Sequence, residues 1–281
     1  MSEHTNQSRP IVIVGGTGKT GRRVAARLRT RGVNVRPVSR STAIRFDWDS
    51  PETWAPAVNG ASAAYVTYSP DLAFPGADKQ IAALAEVLVT HGITRVVLLS
   101  GRGELGAEAS ERALRTAIPT AVVVRCSFFT QNFTEGPFLP GVLEGQIAMP
   151  VSATVAEPFL DIDDLAEVVV AALLSDAHEG TTLELTGPEA LTFPSVLQVL
   201  GEHAGRTVSF REVSVPEYID STIAAGAPLD LAHGLAELFT EVLDGRNVST
   251  TTTVQGVLGR RATGADLTIR RAAETGCFDV E

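Results

Sequence analysis

Three glycines at intervals of three, Gly15, Gly18 and Gly21, stand directly after the apolar run Ile11–Val14 and before a stretch that reads as a helix. That spacing suits contact with a phosphate anion. The first glycine permits a tight turn at positive φ, the second lets the main chain approach a diphosphate with no Cβ between them, and the third lets helix and strand pack closely. Main-chain N–H groups opening the helix, and the positive end of its dipole, would then face the anion. Gly15, Gly16, Thr17, Gly18, Lys19, Thr20 and Gly21 are therefore the expected dinucleotide cradle. Gly18-Lys19-Thr20 also matches the end of an NTPase phosphate loop, but that motif needs a glycine five positions before Gly18, where the chain has Ile13.

The end of the next strand bears on which dinucleotide is bound. An acidic residue there would bind a ribose 2′-hydroxyl; this chain has Pro37-Val38-Ser39-Arg40-Ser41 instead. A guanidinium flanked by hydroxyls offers forked donors to a 2′-phosphate that a carboxylate would repel. Ser39 and Arg40 thus point to NADP(H). Asp47 and Trp48, in Phe46-Asp47-Trp48, either wall the adenine or pack in the core.

Other candidate residues follow later strand ends, where open α/β sheets present side chains to ligand. Tyr68, Ser69 and Pro70 would line the nicotinamide side, with Tyr68 a candidate catalytic residue. Ser100 either holds the substrate or the nicotinamide ribose, or caps its strand. Glu108 is a candidate acid or cation anchor, or an exposed helix carboxylate. Cys126 and Phe128 would complete the cofactor wall, and Phe129, Asn132, Phe138, Phe159 and Tyr218 would line the substrate. No Gly-x-Ser-x-Gly elbow surrounds Ser100, since Leu98 stands two positions before it. His91, His178, His203 and His233 have no ligand-like spacing, and no metal is expected.

The elements positioning these residues alternate in type. Strands are predicted over 11–14, 33–38, 61–68, 95–99, 120–125 and 182–185, with helices over 22–31, 51–58, 77–91, 108–116 and 163–174. Runs such as Val96-Val97-Leu98-Leu99 are apolar on both faces, as a parallel sheet covered by helices requires. Repeated βα units give an α/β, doubly wound Rossmann-type sheet. Residues 127–150, rich in Phe, Gly and Pro, read as long loops around a short helix. Helices over 193–204, 216–225 and 229–243 suggest a smaller, mostly helical substrate lobe. The expected division is a flexible arm over 1–10, an NAD(P)-binding domain over 11–187, to which 127–160 contributes substrate loops, and the lobe over 188–281.

Composition narrows the function classes. The 281 residues are 44% hydrophobic and 20% charged, so the chain can fill a core without staples. With 33 acidic against 23 basic residues, it repels polyphosphate and anionic lipid, which argues against nucleic-acid and membrane partners. Two distant cysteines, Cys126 and Cys277, form no disulfide framework, and the N-terminus lacks a signal-peptide pattern. A cytoplasmic protein acting on a small molecule is expected, with monomer and homodimer both open.

The chain resembles NmrA-like, atypical members of the short-chain dehydrogenase/reductase superfamily. The resemblance is carried by Val14-Gly15-Gly16-Thr17-Gly18-Lys19-Thr20-Gly21-Arg22-Arg23, Phe46-Asp47-Trp48, Arg95–Ser100, Arg125–Phe133, Pro158–Asp164 and Leu185-Thr186-Gly187-Pro188. Gly-Gly-Thr-Gly-Lys-Thr with Phe-Asp-Trp-Asp is similar to the ergot-alkaloid reductases that reduce a cyclic iminium. The resemblance implies an NADPH-dependent reductase of secondary metabolism; it equally admits a non-catalytic NAD(P)-sensing regulator. One feature departs from the superfamily. Its usual Tyr-x-x-x-Lys proton relay is absent: Tyr65, Tyr68 and Tyr218 are followed four residues on by Ser69, Leu72 and Thr222. A ketone becoming an alkoxide needs a proton donor or oxyanion stabiliser, whereas hydride addition to an iminium gives a neutral amine directly. The missing relay therefore favours an iminium or another strongly activated C=C or C=O acceptor.

Overall fold

The computed structural model describes residues 9–279; most of the arm expected over 1–10 lies outside them. In chain order the strands are β1 (Ile11–Val14), β2 (Val35–Val38), β3 (Ala63–Val66), β4 (Arg95–Gly101), β5 (Val122–Cys126), β6 (Gln146–Met149), β7 (Ala156–Glu157), β8 (Thr182–Leu185), β9 (Leu191–Thr192) and β10 (Ser209–Glu212). The helices are α1 (Lys19–Thr30), α2 (Trp54–Val58), α3 (Ala77–Thr90), α4 (Leu105–Ala117), α5 (Leu139–Glu144), α6 (Ile162–Leu174), α7 (Phe193–Ala204), α8 (Val215–Ala224), α9 (Leu229–Val242), α10 (Thr253–Leu258) and α11 (Ala265–Ala273).

A six-stranded sheet runs in the order β2-β1-β3-β4-β5-β8, with β1 parallel to both β2 and β3, and β3 parallel to β4. This is the doubly wound α/β arrangement. The chain leaves β1 for β2 on one side and then crosses to β3 on the other, so the order reverses between β1 and β3. The carboxyl ends of those two strands flank the crevice where such sheets take ligand.

Contacts divide the chain into two compact units: one runs to Gly101 and adds Leu105–Arg125 and Leu165–Leu183, the other comprises Arg102–Glu104, Cys126–Asp164 and Glu184 onward. The first is built on strands buried on both faces. Helix α1 turns Val24, Ala25 and Leu28 inward, and α3 turns Ile81, Leu84, Ala85 and Leu88 inward, the spacing of an apolar helical stripe. Each fully buried Leu or Ile contributes on the order of 2 kcal/mol. The second unit has a core of its own, centred on Phe133, Phe159, Phe193, Leu197 and Tyr218.

The second unit also holds strands that periodicity did not reveal. Residues 127–150 are not only loops around a helix, because β6 closes that segment and pairs in parallel with β10. Gly145, left-handed at φ 87°, ends α5 and turns the chain straight into β6. Four-residue strands whose partners lie some sixty positions away carry too little local pattern to be read alone. Strands β7 and β9 form a short antiparallel pair. Beyond the expected helices, α10 and α11 occupy the C-terminal stretch.

Asp164, 1% exposed, ties that stretch down: it accepts from Thr263 N (2.6 Å) and Thr263 Oγ1 (3.0 Å) and pairs with Arg260 (2.7 Å). Asp164→Ala leaves two donors without their acceptor while Arg260 rehydrates. It should lower the unfolding free energy by about 2 kcal/mol, read from the urea midpoint at unchanged slope.

Candidate functional site

The turn after β1 is shaped by close approach. Gly15 has φ 74°, and a Cβ there would overlap Thr67 Oγ1, which donates to Val14 O at 3.1 Å and ties the ends of β1 and β3 together. A Cβ on Gly21 would overlap Gly15 O, so helix α1 can sit this close to the turn only with glycine at that position. Gly18 is the N-cap of α1 and offers no side-chain cap; no acidic residue stands in the first turn. The first helical bond runs from Arg22 N to Gly18 O at 3.1 Å, leaving the amides of the opening turn ahead of the helical ladder. A helix start without cap or acid, at a topological switch point, fits a diphosphate.

At the end of β2 the chain folds into a small hydroxyl-lined loop. Ser39 N donates to Thr42 Oγ1 (2.8 Å), and the Ser39 and Ser41 hydroxyls lie 3.2 Å apart. Ser39 bridges to Arg45, and Arg40 is exposed. Arg45 pairs with buried Asp47 at 2.6 Å. That bond, with smaller help from the Asp49 amide and the nearby Arg40 charge, lowers the Asp47 pKa against the opposing effect of burial. Asp47 thus stays an anion whose charge is already countered.

Trp48 is buried in an aromatic cluster with Phe46, Trp54 and Tyr68, its ring 4.7 Å from that of Tyr68. The Tyr68 hydroxyl donates to Gln80 Oε1 at 2.7 Å, and Gln80 Nε2 donates to Trp48 O. Burial, with a contribution from Asp49, raises the Tyr68 pKa. A tyrosine relaying protons needs the opposite shift, so this phenol is suited to forming a wall. Ser69 and Pro70 follow, both exposed.

Ser100 is 4% exposed and donates to Glu111 Oε1 at 2.6 Å. Arg125 grips the same carboxylate from Nε (2.8 and 3.1 Å) and Nη2 (2.6 Å). Glu108 lies 3.4 Å from Arg125, outside this pair. Sequence reading singled out Glu108 and passed over Glu111. Yet Ala107, Ser110, Glu111 and Leu114 form the inward stripe of α4, and a charge within an apolar stripe was the signal.

The remaining candidates lie in the second unit. Cys126 is buried, and desolvation, with Glu104 nearby, raises its thiol pKa well above the usual value, so it is an inert neutral group. Phe128 meets Phe133, Phe138, Phe159, Phe193 and Phe239 at ring distances of 5.5–6.3 Å. Phe129 bridges to Leu160, Asn132 O accepts from Phe138 N, and the Tyr218 ring meets Phe239 edge-on. A cavity of about 660 Å³ lies along the outer edge of β2, with Thr42, Ala43 and Ile44 of the following loop in its lining. Two arginines line it, with guanidiniums engaged on main-chain carbonyls: Arg9 on Gly60 and Ala61, Arg36 on Ala57 and Asn59. Among the described residues no cluster could hold a metal ion, and no helix is long and apolar enough to cross a membrane.

No family model matches the chain. It is 32% identical over 271 residues to an uncharacterized oxidoreductase of Bacillus subtilis, YesF, covering 89% of this chain and 91% of that one. Festuclavine dehydrogenase of Aspergillus fumigatus is 26% identical over 275 residues, covering 89% and 92%. Among solved structures, triphenylmethane reductase of Citrobacter, complexed with NADP(H), has a TM-score of 0.71 at 21% identity, covering 94% of this chain and 99% of that one. That likeness establishes a shared fold.

Proposed function

This chain belongs to the NmrA-like, atypical branch of the short-chain dehydrogenase/reductases, and on that premise we propose that it is an NADPH-dependent reductase of a small unsaturated metabolite. The acceptor is a cyclic iminium or imine, or an activated C=C or C=O bond, reduced without a Tyr-x-x-x-Lys relay. The observation carrying this reading is the glycine turn at the β1/β3 switch point, where Gly15 and Gly21 tolerate no Cβ and Gly18 opens α1 with no cap.

The amides at the start of α1 bind the diphosphate, and Arg40 with Ser39 and Ser41 takes the 2′-phosphate. The Arg45–Asp47 pair keeps a carboxylate near Arg40 from opposing that phosphate. Trp48 and Tyr68 stiffen the wall after β3. The bound nucleotide supplies the hydride, and the protein supplies position and exclusion of water. Ser100 gives its proton to Glu111, so it presents lone pairs and suits a ligand N–H or O–H better than an oxyanion.

Nucleotide titration tests the reading, followed by NADPH oxidation against iminium, enone, quinone and azo acceptors. Arg40→Ala should weaken NADPH at least ~10-fold while changing NADH little, as expected for one lost charge-assisted contact to phosphate. Equal losses for both nucleotides would remove the 2′-phosphate assignment. Failure of the wild type to bind either nucleotide would end the reductase reading.

A further inference from the structure

We propose that the cavity along the outer edge of β2 binds a small organic carboxylate with a flat apolar body, held by Arg36 and Arg9 apart from the nucleotide. The proposal does not depend on the reductase reading.

The place of the cavity follows from the sheet. Strand β2 ends the sheet order, so one of its edges carries no neighbouring strand. Asn34 O and Val38 O accept from Ile11 N and Gly16 N, on the β1 side. By the two-residue period of a strand, Val35 and Pro37 turn their main-chain groups outward. Pro37 brings no N–H to that edge, which guards it against an added strand and leaves it to a compact ligand. Pro10, Asn34 and Gly60 line the cavity and stand shortly before β1, β2 and β3, so it reaches the end of the sheet opposite the glycine turn. Its volume of about 660 Å³ is that of a small-molecule site.

The lining selects charge. Arg9 and Arg36 are its cations and none of its residues is acidic, in a chain with 33 acidic and 23 basic residues. Arg36 gives Nη1 to two carbonyls at the end of α2, Ala57 O (3.0 Å) and Asn59 O (2.6 Å). Its Nε–Nη2 edge has no partner among the described residues, and none of their carboxylates pairs with it. That edge carries two parallel N–H groups, which match the two oxygens of one carboxylate. Arg9 is arranged the other way: Nε and Nη2 are engaged on Gly60 O and Ala61 O, which leaves Nη1. One guanidinium thus offers a fork and the other a single nitrogen. The bonds already made hold both side chains in place, so little rotamer freedom is lost when an anion arrives.

Pro10, Val35, Pro37, Ala43 and Ile44 supply the apolar part of the lining, and Ile44 is 42% exposed. A ring laid against them removes apolar surface from water, which a bare inorganic anion would not do.

The test is calorimetry of the full chain with 2-naphthoate and its neutral amide, 2-naphthamide. The carboxylate should bind with a Kd of roughly 0.1–1 mM, the strength expected for its size, and at least ~10-fold more tightly than the amide. Arg36→Gln should remove that preference. Arg36→Lys should stay within about threefold of Arg36→Gln, because an ammonium keeps the charge and loses the fork. Both variants are checked for an unchanged melting temperature. Ala43→Glu, at an exposed position, keeps the test decisive if they fail to fold: a carboxylate there should weaken 2-naphthoate about fivefold and leave the amide unchanged. Saturating NADPH should not displace 2-naphthoate. Equal binding of acid and amide, no saturable binding of the acid, full affinity in any of the three variants, or displacement by NADPH would overturn the proposal. A protein that binds 2-naphthoate and ignores NADPH would end the reductase reading alone.

Discussion

Glu111→Ala should cost about 3 kcal/mol of stability, a large loss for a single side chain. Glu111 is 3% exposed and receives the Ser100 hydroxyl and a two-pronged grip from Arg125, which joins α4 to the ends of β4 and β5. Removing one partner of a buried pair leaves the other charge dehydrated and uncompensated, typically costing 3–5 kcal/mol. The low end applies because the Arg125 side chain is 21% exposed and keeps Glu108 at 3.4 Å. Urea unfolding would show the midpoint falling at constant slope. The diagnostic comparison is the double variant Glu111→Ala with Arg125→Met. If the loss comes from a stranded guanidinium, the double variant should be more stable than the two single losses predict, because deleting both charges removes the dehydrated one. Strict additivity would mean that the network is only a set of independent contacts.

That network marks where the sequence was legible and where it was not. Strands buried on both faces announce themselves through unbroken apolar runs, and helices covering them through a 3.6-residue stripe. The strands of the sheet were therefore readable to within two residues at each end, and α3, α6 and α7 to within one. Helix α1 begins at Lys19 rather than at Arg22, because its first turn is held by glycine geometry that carries no periodic signal. Strands β6 and β10 escaped because a four-residue strand owes its existence to a distant partner. Gly15 and Gly21 could be read, since each answers a steric demand of the turn that is visible in the motif. Glu111 could not be read with the same ease. It is a charge within an apolar stripe, and only three dimensions show that Ser100 and Arg125 partner it.

Gly18→Ala should leave the protein folded and all but remove nucleotide binding. Gly18 sits at φ −74° and ψ 174°, a conformation open to any L-residue, and an added Cβ would come no closer to the protein than 3.2 Å, at Gly15 O. Gly15 O has to give by only a few tenths of an ångström to hold the methyl group; a diphosphate against the first amides of α1 cannot avoid it. Each charge-assisted hydrogen bond lost there is worth roughly 1.5–3 kcal/mol, so displacing the phosphates from one or two should weaken NADPH by ~100-fold or more. Gly21→Ala supplies the contrast. Its Cβ would overlap Gly15 O and lie 2.9 Å from Gly16 Cα, so the helix must move off the turn, and stability should fall together with affinity. Fluorescence titration with NADPH beside thermal melting separates the two effects. A Gly18→Ala protein that melts like the wild type and still binds NADPH normally would mean that the nucleotide does not lie against this helix. Wild-type melting with lost affinity would locate the diphosphate at α1 through Gly18, whose Cβ meets the turn less closely than one on Gly15 or Gly21 would.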